Sequence, residues 1–421
     1  MNIKKYVEYL VAAGSRISAI AAQFALLGFI GNYIGLEASG YYATIFSLAS
    51  IASIVLVYGQ GAFILRNVPS AHAAGDYVRS DSAILHGIIT VGLIGGLLLG
   101  IILPLGYWST GSVTGSFYAA SMGMSIAFLS LYSAVLRSLG NLWLSESAKG
   151  MFWRVLSLIF LVLIYLSGIK LEPDQLVAVI VISTLLCTLI LYTHLYTIRN
   201  FDFSEIHLKK ILKTNPVNTK NWMLQILQAC LQNIDVVFVG GLLGYAEAGV
   251  YFVFSRLASL VSLPLSVTNP VILPTIGRYA NGERSAKITS RIRNNALINM
   301  VFSVFAFAMI LTFSSNLLAI LGVVEIDTPE RIAFVMLMAS HFINVIVGPT
   351  AFSSQLFDVK KEALIILVIH VLLVLFGLFF FAKTIGIIGI AAIVSIGRIG
   401  TNIFTLEVIR RKVGLNLLTG R

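Results

Sequence analysis

Residues 31–51 read GNYIGLEASGYYATIFSLASI, and residues 240–260 read GGLLGYAEAGVYFVFSRLASL. Set against each other at an offset of 209, they match at Gly31/Gly240, Gly35/Gly244, Gly40/Gly249, Tyr42/Tyr251, Leu48/Leu257, Ala49/Ala258 and Ser50/Ser259. Seven identities in 21 positions exceed the roughly two that chance supplies. Small-residue runs recur in many helical membrane proteins. Here the offset is half of the 421-residue chain, which favours an internal duplication.

Each half is built for lipid. The chain is 58% hydrophobic and 11% charged, with a mean hydropathy of +0.92; soluble domains carry about a quarter charged residues. Its apolar residues come in blocks longer than the roughly 18 that mark a spanning helix. Such blocks fall at 9–33, 41–65, 83–105, 117–139, 150–169, 175–198, 222–243, 247–273, 295–322, 331–353, 362–382 and 385–408. The expectation is an all-α polytopic membrane protein of about twelve transmembrane helices. It divides into a six-helix bundle at 1–198, a basic linker at 199–221 and a second six-helix bundle at 222–421. Six spans per half give both halves the same orientation, with a pseudo-twofold axis along the membrane normal.

Lysine and arginine fix the direction of insertion. With the N-terminus inside, 23 of the 29 basic residues fall on inward segments, against Lys170, Arg331 and Lys383 on outward ones. Both termini are therefore expected in the cytoplasm. The net charge of +11 is a property of these loops, so nucleic acid is not an expected partner. Cys187 and Cys230 sit inside apolar blocks without metal-ligand spacing; no metal, cofactor or catalytic residue is expected.

Polar residues inside the spans point to a cavity, because each is costly in hydrocarbon. On the seventh block Asn221, Gln225, Gln228, Gln232 and Asp235 recur at helical spacing, within an arc of roughly 80°. The eighth carries Ser255, Ser259, Ser262, Ser266 and Asn269, and its Pro264, Pro270 and Pro274 predict a bend in its cytoplasmic half. The tenth offers His341 and Asn344, the twelfth Ser395, Arg398, Asn402 and Thr405, and the first Arg16 and Gln23. Asp235 and Arg256 fall at similar depth on adjacent helices, which suits either a buried ion pair or a substrate or coupling role. No acidic partner is evident at the depth of Arg16 or Arg398, so both are assigned to the cavity. Three intramembrane arginines against one aspartate predict an anionic substrate, with Asp235 the candidate for a coupling ion. The serine stripe suits close packing as well as ligand contact, as do Gly92, Gly96 and Gly100.

The segments LGFIGNYIGLEASGYYA (27–43) and NIDVVFVGGLLGYAEAGVYFVFSRLASL (233–260) resemble the polysaccharide-export branch of the multidrug/oligosaccharidyl-lipid/polysaccharide (MOP) flippase superfamily, and O-antigen flippases in particular. The shared pattern is a glycine-containing hairpin, an aromatic residue and a Leu-Ala-Ser stretch. The resemblance implies a MATE-like, V-shaped pair of six-helix bundles in the bacterial inner membrane. These would alternate access to move an undecaprenyl-diphosphate-linked oligosaccharide from the cytoplasmic to the periplasmic leaflet. H⁺ or Na⁺ as counter-ion, membrane lipids and other polysaccharide-assembly membrane proteins are the implied partners. An amide-rich, basic lumen suits a diphosphate carrying hydroxyl-rich sugars.

Two other functions compete. A multidrug cation exporter of the same superfamily would call for intramembrane carboxylates, and the first block offers Arg16 with only Glu8 near its start. A membrane polymerase or glycosyltransferase would need a large outward loop or a cytoplasmic catalytic segment. The outward connections span only about four to eleven residues, and no phosphate-cradling, His-Glu-x-x-His or Cys-x-x-Cys motif is present.

Overall fold

A computed structural model describes residues 3–199, 219–280, 282–283, 285–357 and 359–414. Most of the basic linker expected at 199–221 lies outside the described residues. Two compact units divide at Trp222/Met223.

The first unit contains α1 (Ile3–Phe29), α2 (Leu36–Val57), α3 (Gln60–Ala73), α4 (Tyr77–Thr110), α5 (Val113–Ser138), α6 (Leu142–Gly150), α7 (Phe152–Leu166) and α8 (Pro173–Arg199). A π-helical turn, Ile30–Ile34, ends α1. After the boundary, which falls in the first turn of α9 (Thr219–Leu242), come α10 (Tyr245–Ser259), a 3₁₀ turn (Leu260–Ser262) and α11 (Leu263–Ala280). They are followed by α12 (Ala286–Thr312), α13 (Ser314–Ile320), α14 (Thr328–Val347), α15 (Thr350–Leu356) and α16 (Lys360–Val413).

Helix starts follow local chemistry. Asp76, Ser112, Asn141 and Ser285 each accept a backbone N–H from the first turn of α4, α5, α6 and α12. Asp327 and Glu330 form a reciprocal capping box at α14. Among the described residues ten helices are long and apolar enough to cross a membrane, and eleven if α6 and α7 form one span bent by 45°. The 54 residues of α16 would reach about 80 Å at 1.5 Å per residue, far beyond the roughly 30 Å hydrocarbon core. Gly386 interrupts it with non-helical dihedrals (φ 60°, ψ −158°), so α16 divides into two spans, which brings the total among the described residues to twelve.

The boundaries depart from the sequence reading in two places. The block expected at 41–65 ends at Val57, where Tyr58 and Gly59 are both left-handed and α3 begins as a separate helix. The block expected at 331–353 ends at Val347, with Gly348 (φ 87°) and Pro349 starting the short α15. Just before Pro264 the eighth block tightens into the 3₁₀ turn Leu260–Ser262.

The duplication is visible in the backbone. Helix starts at Leu36 and Tyr245, at Tyr77 and Ala286, and helix ends at Ser138 and Val347 are each 209 residues apart. Gly35 (φ 121°, ψ 164°) and Gly244 (φ 123°, ψ 170°) share a conformation essentially confined to glycine. The Gly35 amide donates to Ile30 O at 2.9 Å, and the Gly244 amide donates to Val239 O at 3.1 Å. Tyr42 and Tyr251, seven residues on, are both buried.

Within the first unit α2 and α4 pack on α5, and α1 packs on α6 and α7. In the second, α14 packs on α10, α12 and α16. Outward faces are apolar: Leu97, Phe305 and Phe379 stand exposed, as side chains meeting lipid do.

Candidate functional site

The second unit contains a cavity of about 420 Å³ whose walls come from α9, α10, α11, α14, α15, α16 and the turn between α10 and α11. Helical spacing explains its polar lining. Gln228 and Gln232 are one turn apart on α9; Ser255 and Ser259 are likewise one turn apart on α10, beside Arg256. His341 and Asn344 project from α14, and Arg398 and Asn402 project from α16.

At its centre Arg398, 9% exposed, donates from Nη1 to Ser340 Oγ (3.0 Å) and to His341 Nε2 (3.0 Å). Its Nη2 reaches Leu231 O at 3.5 Å. His341 Nδ1 lies 3.3 Å from Ser262 Oγ. Arg256 donates to Asn233 Oδ1 at 3.1 Å, and its guanidinium carbon stands 4.5 Å from the centre of the Phe252 ring. Thr350 donates to Asn402 Oδ1 at 3.1 Å, tying α15 to α16 beside the Gly348–Pro349 break. Asn269 Oδ1 lines the wall without a hydrogen-bond partner among the described residues.

Seven of the eleven residues singled out from the sequence meet at this cavity: Gln228, Gln232, Arg256, His341, Asn344, Arg398 and Asn402. Gln225 is exposed outside the lining. Asp235, fully enclosed, lies behind the lining, where it accepts from Tyr251 Oη (3.1 Å) and the Val236 amide (2.9 Å). Asp235 and Arg256 are thus held by different partners, in place of the direct pair their depths suggested.

Arg16 and Gln23 belong to the first unit. Arg16 does have an acidic partner, contrary to the sequence reading: its Nε lies 3.6 Å from Glu146, which also pairs with Arg137. Gln23 is half-buried on α1. Sequence reasoning missed Ser340, because a serine inside a helix reads as packing. It also missed Thr350 as a lining group, whereas Asn269, grouped with the serine stripe of the eighth block, does line the wall.

The lining consists of arginine, histidine, amides, hydroxyls and aliphatics, with no carboxylate among the described residues. Such a surface offers donors to an anion and bonding partners of both kinds to a hydroxylated ligand. Among the described residues no group of three or more His, Cys, Asp and Glu could hold a metal ion.

No protein-family model and no curated sequence matches the chain. Solved structures match over nearly its whole length. An inward-facing multidrug resistance MATE family transporter of the MOP superfamily superposes with a TM-score of 0.72 at 18% identity, covering 96% of this chain and 98% of that one. The fold is that of the MATE-type transporters. An outward-facing multidrug resistance MATE family transporter gives a TM-score of 0.64 at 16% identity, with coverage of 97% and 95%. A MOP superfamily transporter from Pyrococcus furiosus, whose reversed pocket polarity suggests a different function for it, gives 0.63 at 16%, with the same coverage. Within this MATE-type fold, the second unit carries the cavity described above.

Proposed function

We propose that the protein is a flippase that moves an anionic polyprenyl-diphosphate-linked oligosaccharide from the cytoplasmic to the periplasmic leaflet by alternating access. The proposed setting is the bacterial inner membrane, with both termini and the basic linker on the cytoplasmic side. One observation carries the reading: the cavity places Arg398 and Arg256 among amides and hydroxyls, and its described lining holds no carboxylate. Guanidinium forks suit diphosphate oxygens, and the amides suit sugar hydroxyls. Arg16 and Gln23 are candidates for further substrate contacts in the first unit. Two negative charges leaving an inside-negative cell gain about 2.3 kcal/mol each per 100 mV when they cross the full field.

The similarity to multidrug resistance transporters favours a second reading, export of amphipathic cations. Reconstitution with a fluorescent polyprenyl-diphosphate oligosaccharide and, separately, with a fluorescent cationic dye distinguishes them. Leaflet exchange of the lipid, lost in Arg398→Ala while the fold persists, is the expected result. Dye transport without lipid exchange, with or without a membrane potential or ion gradient, would replace the flippase reading with the exporter.

A further inference from the structure

Hydrogen-bond direction at Arg398 fixes the protonation state of His341. A guanidinium has only donors, so His341 Nε2, 3.0 Å away, must present its lone pair. The ring proton then sits on Nδ1 and is donated to Ser262 Oγ at 3.3 Å. Ser262 is free to accept it, because its own hydroxyl donates to Ser259 O at 2.8 Å. Ser340 likewise accepts from Arg398 while its hydroxyl donates to Leu337 O at 2.8 Å. The chain is closed: Arg398 donates to His341, His341 to Ser262 and Ser262 to Ser259, and the imidazole is neutral.

A second proton, on Nε2, has no place in this arrangement, since it would point a donor at a cationic donor. An oxyanion between the two groups resolves the conflict, because its oxygens accept from Arg398 and from His341 Nε2–H together. We propose that the cavity binds its oxyanion together with one proton, taken from bulk water onto His341 Nε2, so that anion and proton occupy the site as a unit. Arg398 transfers one donation from the imidazole to the anion, and the Nδ1–H to Ser262 bond is kept. The ligand class is a phosphate, diphosphate or other oxyanion. The inference deepens the proposed function and rests on the same cavity, but it does not depend on the sugar or the lipid.

The charged and titratable groups around His341 fit this role. Arg398 faces it from α16, and Arg256 lines the same cavity from α10. Asp235 on α9 and Tyr251 on α10 are bonded to each other behind the lining. The 3₁₀ turn contributes Ser262; the charged residues of α12 among those described, Lys287, Arg291 and Arg293, lie in its first two turns. With two arginines in the wall, the imidazolium forms only when an anion arrives with it.

Inorganic sulfate is the test ligand, since it stays a dianion between about pH 5 and 8, where histidine titrates. Calorimetry on the purified full-length protein, in buffers of different ionisation enthalpy, counts protons taken up per sulfate bound. The wild type should take up as much as one proton, and sulfate affinity should rise by up to about tenfold per pH unit of acidification. His341→Gln keeps an acceptor for Arg398 and should bind sulfate with neither the uptake nor the slope. Zero uptake by wild type across the range, an unchanged slope in His341→Gln, or no sulfate binding at any pH would each overturn the inference. If His341→Gln does not fold, the proton count on wild type decides. Leaflet exchange of the lipid-linked oligosaccharide is scored separately, so the flippase reading can fail without the proton linkage failing, and the reverse.

Discussion

Tyr251 donates its hydroxyl to Asp235 Oδ2 at 3.1 Å, joining α10 to α9 in an interior where both side chains are fully enclosed. Removing that hydroxyl leaves the carboxyl with the Val236 amide as its one donor among the described residues. Tyr251→Phe is expected to destabilise the protein by about 1–3 kcal/mol. A thermal melt in detergent, followed by intrinsic fluorescence, checks it; an unchanged midpoint would count against a structural bond.

Gly35 and Gly244 occupy a backbone region that a β-carbon makes costly. A side chain at Gly35 would meet nothing within 4 Å, whereas at Gly244 it would meet the flexible carboxylate of Glu247 at 3.0 Å. Alanine at either position is expected to cost about 1–3 kcal/mol. Gly35→Ala isolates the backbone contribution, and comparable losses for both variants would tie the cost to the dihedrals.

Arg16 shares Glu146 with Arg137 and is one-third exposed. Arg16→Ala should therefore change stability by no more than about 1 kcal/mol, because Glu146 keeps its other partner. Arg16→Ala combined with Arg137→Ala should lose more than the sum of the single losses. Chemical or thermal unfolding of the three variants measures this.

Arg398 is different, since Ser340, His341 and Leu231 all receive from it. Arg398→Ala is expected to reduce lipid leaflet exchange at least about tenfold, equivalent to about 1.4 kcal/mol of lost ligand interaction. Arg398→Lys, which lacks the planar fork, should recover only part of it.

Outside the spans, Arg278 holds Glu283 below the ordinary glutamate range, mainly through a direct hydrogen bond. A depressed carboxylate stabilises the fold above its unfolded value and loses that contribution as pH falls through its folded value. Thermal midpoints should thus be level near neutrality and decline below the ordinary glutamate value of 4.5. Because these groups are exposed, added salt should flatten the decline.

Much of this architecture is legible in the chain because lipid imposes long apolar blocks and hydropathy reads them directly. The offset of 209 found in two short segments is the offset at which helix ends recur. Breaks without a hydropathy signal were harder. Tyr58–Gly59 and Gly348–Pro349 end helices inside apolar runs, where only dihedral preference marks the stop. Side-chain facing identified His341 and Arg398 because both lie on polar helical stripes. Glu146 escaped because α6 is too short and polar to read as part of a span, and only the packing of α1 on α6 brings it to Arg16.

The two halves keep one skeleton but not one chemistry. Positions 132 and 341 correspond, and each reaches the last long helix of its own unit: Tyr132 bonds His194 at 2.9 Å, and His341 bonds Arg398. Positions 47 and 256 also correspond, yet one is serine and the other arginine, and Val135 stands where the second half has Asn344. Doubling a chain hands selection a spare copy, and here these side chains differ while the glycine turns at Gly35 and Gly244 are the same. A chimera that repeats residues 1–222 in place of the second half would inherit the glycine turn and none of the guanidinium chemistry of Arg256 and Arg398.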